Sequence, residues 1–505
     1  MSHSTVEPSQ NYTKLVVRGV GVSILATILA AFFGYIFRIL LTRGLSVDEY
    51  GAFYSVMALF SILGFAQDLG LRFALVRDIP IYRAKGDSGV IKHLLMSTFS
   101  IWFGLSLLLV VLVISFSNVI AVEYLKDPSF ASGIVAYSIL FLLFPLDALF
   151  RLVFQGFQKI EYISLIELLK PILISILTFF LFTIIGYTIL APIIAYIITY
   201  TFLTLLVEIP LVYKLIPSII TVRRKKDSSA LYSLFTFGFQ SSIVGVIESI
   251  LVYTDIFMIT ILSNLTQVGY YTVSLPTAKL LWKFTTALSQ VLLPLVSFMW
   301  AKGDKEKLRD GLKLVYKYSF IIMLPSAISL LVHSKILLLI LFGTKYVQAT
   351  STLQILSLGA IVIMLSKISI NALISMGHIR IVQKVTIFSG VTNVLGNLLL
   401  IPLKGSEGAA LATLFASIIL FVASQIYLHR ILPGIFHNTK IHRIILSGFL
   451  FFFSLTFLRD IFHIESIVGV AISTVLSCLL YMLVIFMLKI ITIQEVVKTY
   501  LAVSK

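Results

Sequence analysis

The sequence predicts an all-α membrane protein: about fourteen transmembrane helices, in two six-helix repeat lobes around a central cleft plus two C-terminal helices. Three observations carry that prediction. Of 505 residues, 59% are apolar and 12% charged, and the mean hydropathy of +1.04 exceeds what a water-soluble core needs. The apolar residues fall into runs of bilayer-spanning length, about 20 residues. Short motifs also recur at nearly one offset. Gly51 and Gly269 are 218 apart, Ala84-Lys85-Gly86-Asp87 and Ala301-Lys302-Gly303-Asp304 are 217 apart, and Gly186 and Gly405 are 219 apart. Each pair occupies the same topological place, so the halves read as parallel repeats.

In chain order, a polar N-terminal tail (1–14) precedes a first run (15–41) that is too long for a signal-peptide core and reads as a retained helix. Five further runs (52–75, 94–116, 132–154, 162–185, 188–213) complete an N-lobe over 15–213. A basic cytoplasmic linker (214–232) follows. Runs at 233–262, 268–300, 314–342, 351–376, 383–403 and 407–431 make a C-lobe over 233–431. Runs at 442–463 and 466–489 belong to an added C-terminal segment, 432–505. Pro145, Pro171, Pro192, Pro276, Pro294 and Pro325 lie inside runs and predict kinks or moving joints.

Lys and Arg set the orientation. With the N-terminus inside, 28 of the 39 fall in inner segments, 6 in outer segments and 5 within the membrane. That split places both termini in the cytoplasm and requires an even helix count. It also accounts for the net charge of +17 as topology, with no nucleic-acid partner implied. Arg223-Arg224-Lys225-Lys226 in the linker reads as a topology-fixing cluster near anionic lipid headgroups. The single cysteine, Cys478, rules out an intrachain disulfide. There is no phosphate-binding Walker loop, no metal-spaced His/Cys cluster and no enzyme motif, so neither a cofactor nor catalysis is expected. Asn11-Tyr12-Thr13 and Asn264-Leu265-Thr266 fit a glycosylation acceptor pattern in places where it is incidental.

Charges inside the membrane carry the functional reading, because each costs roughly 3 kcal/mol on insertion scales. Asp68 and Arg72, and Asp147 and Arg151, are i,i+4; Glu167 and Lys170 are i,i+3. All three spacings permit pairing on one helix face. Arg72 also suits the cytoplasmic mouth of a cavity. Arg38, Lys279, Lys283, Lys367, Glu208, Glu248 and Asp255 have no such local partner. Lys279 and Lys283 share a helix stripe at mid-run, which suggests either a wet cavity for an anion or pairing inside the bundle. Glu248 and Asp255 are seven apart on one face and suit either static pairing or coupling to H+ or Na+. Gln67, Gln240, Gln290, Asn371, Asn393 and Asn397 suit sugar hydroxyls or helix association.

The chain resembles the polysaccharide-exporter branch of the multidrug/oligosaccharidyl-lipid/polysaccharide exporter superfamily, which holds the O-antigen and lipid-linked oligosaccharide flippases. The resemblance is carried by Arg38 to Leu45, Asp48-Glu49-Tyr50-Gly51, Leu69-Gly70-Leu71-Arg72 and Arg77-Asp78-Ile79. In the second half it is carried by Val268-Gly269-Tyr270-Tyr271 with Pro294, Asn371 to Gly377, Asn393 to Pro402 and Gly405 to Ala412. It implies two lobes in a V, alternating access, and a polyprenyl- or dolichyl-(pyro)phosphate-linked oligosaccharide as cargo, with membrane lipids and glycan-assembly proteins as partners. It also implies cavity cations at Arg38, Arg72 and Lys279 or Lys283, although Arg38 lies toward the outer end of its helix. A cation-coupled small-molecule exporter and a non-transporting component of a polysaccharide-synthesis complex are the alternatives.

Overall fold

A computed structural model of the protein describes residues 9–281, 292, 295–435, 440–464 and 466–491; within these, the side chains of 9–22, 24, 65–66 and 241–252 are outside the description. The described residues are predominantly helical, with no strand among them. Ten of their helices are long and apolar enough to cross a membrane, consistent with the expected multi-pass architecture. Large apolar side chains such as Val111, Phe180, Leu403 and Met487 stand exposed on the outside, as a lipid solvent permits.

Contacts divide the chain into two compact units, Met1–Ile261 and Leu262–Lys505. The first opens with α1 (Ser9–Gly44) and α2 (Val47–Asp68). Ser46 and Glu49 form a reciprocal capping box at the start of α2, with bonds of 2.9 and 3.1 Å. Then α2 stops. Leu69 and Gly70 both adopt left-handed backbone, and α3 (Leu71–Ala84) resumes the helix. Next come α4 (Ser88–Val119), α5 (Ala131–Ser138), α6 (Leu140–Gly156) and α7 (Ile160–Ile185). α8 (Leu190–Phe202) runs through a π-helical turn, Leu203–Glu208, into α9 (Ile209–Leu215) and the short α10 (Pro217–Thr221). α11 (Ser228–Leu262) follows. The repeat reading puts this helix at the head of the second lobe. Through Ile261 its contacts belong to the first unit: Thr260 bonds Ser55 at 2.8 Å, and Arg77 bonds Ser233 at 3.0 Å.

The second unit holds α12 (Leu265–Lys279), a helical piece at 295–300, α13 (Lys305–Val332), α14 (Ser334–Phe342) and α15 (Thr350–Ser375). α16 (Ile379–Ile431) is two arms meeting at Gly405, whose φ of 55° and ψ of −126° are non-helical. The arms run antiparallel: Ser389 Oγ bonds Ala416 O at 2.8 Å and Asn393 bonds Thr413 at 3.3 Å. The expected runs 383–403 and 407–431 are therefore separate helices joined by a one-residue turn. α17 (Ile441–Ile461) and α18 (Ile467–Met487) pack on α13 through Phe451, Leu455 and Ile485, with Tyr481 Oη donating to Ile321 O at 3.1 Å.

The repeated Ala-Lys-Gly-Asp motif has one structural reason in both places. Gly86 and Gly303 take positive φ, 71° and 74°, and end one helix as glycine does without a Cβ penalty. Asp87 and Asp304 then N-cap the next helix, accepting from Val90 N at 3.3 Å and Lys307 N at 3.1 Å.

The basic linker is docked. Lys225 Nζ lies 2.6 Å from Asp87 Oδ2, Lys225 N donates to Gly89 O at 3.1 Å, and Arg224 Nε donates to His93 Nδ1 at 3.0 Å. The Lys225 ammonium, with the Val90 N–H, holds the Asp87 carboxyl below its ordinary value of 3.8. A depressed carboxyl contributes its stabilisation above the ordinary value and loses it as pH falls. Linker docking is therefore expected to loosen below about pH 4. At neutral pH, Asp87→Asn should speed hydrogen exchange at the Lys225 amide, whereas unchanged exchange would show that Asp87 does not hold the linker.

Candidate functional site

The first unit contains a cavity of about 270 Å³ that begins at the α2–α3 break. Two backbone irregularities create it. The left-handed pair at Leu69–Gly70 releases the Asp68 carbonyl from the helix ladder. Pro145, inside α6, has no N–H for the Phe141 carbonyl. In a membrane such carbonyls need partners from neighbouring helices. Both obtain them from α4. Trp102 Nε1 donates to Asp68 O at 3.2 Å, and Ser106 Oγ donates to Phe141 O at 2.7 Å. Gln67 completes the set, bonding Ser106 Oγ at 2.5 Å and Trp102 O at 3.3 Å. Gln67, read from sequence as suited to sugar hydroxyls or helix association, is thus bonded for association here.

Two arginines and two acids line the opened space with an aromatic wall of Trp102, Tyr137, Phe141, Phe144, Tyr200 and Tyr253. Arg72 stands at the start of α3, half-exposed, 3.8 Å from Asp68, and Asp68 Oδ1 is buried without a hydrogen-bond partner. Arg151 bridges two acids: its Nη2 is 2.9 Å from Asp147 and its Nη1 is 2.8 Å from Glu167. Lys170 lies 2.7 Å from Asp147 and 3.2 Å from Glu167, beneath the Tyr200 ring. Asp147 is 1% exposed, a burial that only paired carboxylates tolerate.

The three local pairs expected from spacing are therefore present, at 3.8, 2.9 and 3.2 Å. The Lys170–Asp147 cross-link between α6 and α7 was not legible, because no helical periodicity links positions 23 apart. Arg72 and Arg151 are brought together on one cavity, and Arg38 sits apart from it in α1. Its guanidinium lies 4.6 Å over the Tyr54 ring, with Tyr50 Oη at 3.5 Å. Asp255 is buried in α11. In the second unit Lys279 ends α12 and Lys367 lies in α15, both half-buried. Lys283 and the Glu248 side chain fall outside the described residues, so the Lys279–Lys283 stripe and the Glu248–Asp255 face have no geometry here.

Guanidinium groups offer planar, paired donors to phosphate. Aromatic rings offer flat apolar faces with polar tips. Drug-sized ligands occupy roughly 300–1,000 Å³, so this cavity suits a phosphate group or a single ring rather than a whole oligosaccharide. Among the described residues no cluster of His, Cys, Asp and Glu is arranged to hold a metal ion.

Comparison with known proteins agrees with this architecture. The chain is 29% identical over 499 residues to the uncharacterized membrane protein MJ1068 of Methanocaldococcus jannaschii, covering 96% of this chain and 98% of the relative. It is 23% identical over 261 residues to the probable low-salt glycan biosynthesis flippase Agl15 of Haloferax volcanii, covering 51% and 54%. Among solved structures it resembles the lipid II flippase MurJ in an inward closed conformation (TM-score 0.72, 17% identity, 92% and 97% covered). It also resembles an inward-facing multidrug resistance MATE family transporter of the MOP superfamily (TM-score 0.69, 12% identity, 82% and 99% covered). Residues 16–300 match the polysaccharide biosynthesis protein family model, and the chain belongs to that family.

Proposed function

We propose that the chain is a flippase that moves lipid-pyrophosphate-linked oligosaccharides across the cytoplasmic membrane by alternating access, for cell-surface polysaccharide or glycan assembly. The observation that carries this reading is the cavity wall, which holds Arg72 and Arg151 together with a set of aromatic side chains. A pyrophosphate cannot cross hydrocarbon unaided. Fixed cations offset its desolvation, aromatic faces stack on sugar rings, and the polyprenyl or dolichyl tail stays in lipid. The similarity to Agl15, a probable glycan biosynthesis flippase, and the shared fold with MurJ, a lipid II flippase, support the same class of cargo. Arg38, Lys279, Lys283 and Lys367 complete the proposed cationic path. Glu248 and Asp255 are its proposed counter-charges, with H+ or Na+ as the coupling ion. The 28-to-6 distribution of basic residues supports both termini in the cytoplasm.

The test is reconstitution into liposomes with a fluorescent lipid-pyrophosphate oligosaccharide. Arg72→Ala and the double variant Lys279→Ala/Lys283→Ala are each expected to slow flipping at least about tenfold, a loss of roughly 1.4 kcal/mol in cargo binding. Wild-type rates in both would sink the cationic-path reading. Export of a cationic dye without any glycan movement would favour a small-molecule exporter.

A further inference from the structure

The π-helical turn after α8 packs against α6, whose Asp147 and Arg151 line the cavity. Glu208 is 0% exposed, and neither of its carboxyl oxygens has a hydrogen-bond partner. It closes the π-helical turn Leu203–Glu208 between α8 and α9. Such turns insert one residue into a helix and recur at functional sites. The charged or titratable groups around it are identifiable. α6 presents Asp147 and Arg151, α7 presents Glu167 and Lys170, and α8 presents Tyr200. On α9 Tyr213 and Lys214 are exposed. α6 packs against this turn, and its Asp147 already holds Arg151 and Lys170.

The charge count is uneven. Asp147, Glu167 and Glu208 face Arg151 and Lys170, which leaves one negative charge in excess. Glu167 is partly exposed and Asp147 holds both cations, so the excess falls on buried Glu208. An unpaired buried charge is unfavourable, and such groups bind a proton instead. We infer that Glu208 holds a proton, and that this proton and a phosphate-bearing ligand of the cavity bind cooperatively. The sign follows from electrostatics. The proton removes a negative charge from the wall and lowers the demand of the acids on Arg151, whose guanidinium also faces the cavity. An anion bound there in turn favours protonated Glu208. Such coupling is reciprocal. The inference rests on the proposed phosphate-bearing cargo, but the proton site can be read without it.

Two measurements on the purified full chain test it. Calorimetric titration with inorganic pyrophosphate and with a prenyl pyrophosphate, in two buffers of different ionisation enthalpy, counts protons taken up per bound anion. The expected result is about one proton taken up, and an affinity falling about tenfold per pH unit on the alkaline side. Glu208→Gln should abolish the uptake and flatten the profile. Binding of both probes assigns the site to the phosphate group itself, and binding of the prenyl probe alone assigns it to the lipid-linked form; either supports the linkage. Uptake unchanged in Glu208→Gln would overturn it. Infrared difference spectra between high and low pH, without ligand, should show a buried carboxylic-acid band in the wild type that Glu208→Gln removes. Should that variant fail to fold, Asp147→Asn is expected to remove or shift the same band. A missing wild-type band, or one unmoved by these substitutions, overturns the proton site. No pyrophosphate binding at any pH refutes the cargo reading and the linkage, while the infrared band still decides the proton site.

Discussion

Lys170→Met is expected to destabilise the first unit by about 3–5 kcal/mol, the range for removing one partner of a buried ion pair. Lys170 is almost fully buried, 2.7 Å from an aspartate that is 1% exposed. Methionine fills a similar volume but leaves Asp147 Oδ1 facing apolar packing, with Arg151 alone to balance Asp147 and Glu167. Denaturant unfolding in micelles measures the loss. The companion variant Lys170→Met/Asp147→Asn should recover most of it, because removing both charges avoids an unpaired buried carboxylate. A double-mutant cycle then gives a coupling energy of about 0.5–3 kcal/mol. If Lys170→Met unfolds like the wild type, the cross-link between α6 and α7 contributes nothing and the charge count used for Glu208 must be revised.

The second large effect lies in the hairpin of α16. A Cβ at Gly408 would meet the Leu400 carbonyl oxygen at 2.2 Å, and one at Gly396 would meet the Ala412 Cβ at 3.0 Å. The first contact is with backbone, which no rotamer change relieves. The two arms can accept a side chain only by separating, and with them the turn at Gly405, where Ser406 N donates to Gln267 Oε1 at 2.9 Å. Gly408→Ala should therefore cost at least the upper end of the roughly 1–3 kcal/mol typical of overpacking, read as a lowered Tm. Gly104→Ala is the control. Nothing lies within 4 Å of its Cβ, and a mid-helix alanine is worth roughly 0.5–1 kcal/mol over glycine. Equal Tm shifts in the two variants would refute the close approach of the arms.

Helix spans were legible in the sequence because a bilayer imposes a length and a polarity that local composition records. The Ala-Lys-Gly-Asp repeats were legible for a related reason: capping is local chemistry, and the same four residues solve the same turn twice. Local ion pairs followed from helical spacing. The cavity did not. Arg151 could be matched to Asp147 four residues away, but spacing does not reveal that the same guanidinium also reaches Glu167 and faces an empty volume. The paired left-handed residues Leu69–Gly70 and the π-helical turn before Glu208 leave no periodic signal, since each is a one- or two-residue departure inside an apolar run. The linker's charge suggested lipid contact. Its docking depends on Asp87 and His93, more than 130 positions earlier in the chain.

The broken helix also has an optical consequence. The chain has three tryptophans, and Trp102 spends its only N–H on the Asp68 carbonyl. That carbonyl is available only while the ladder is open at Leu69–Gly70; a closed ladder would return it to the amide of Arg72. The indole is thus bonded to backbone structure rather than to a side chain. Its emission reports whether the α2–α3 break is open, one helical turn from the arginine at the cavity edge.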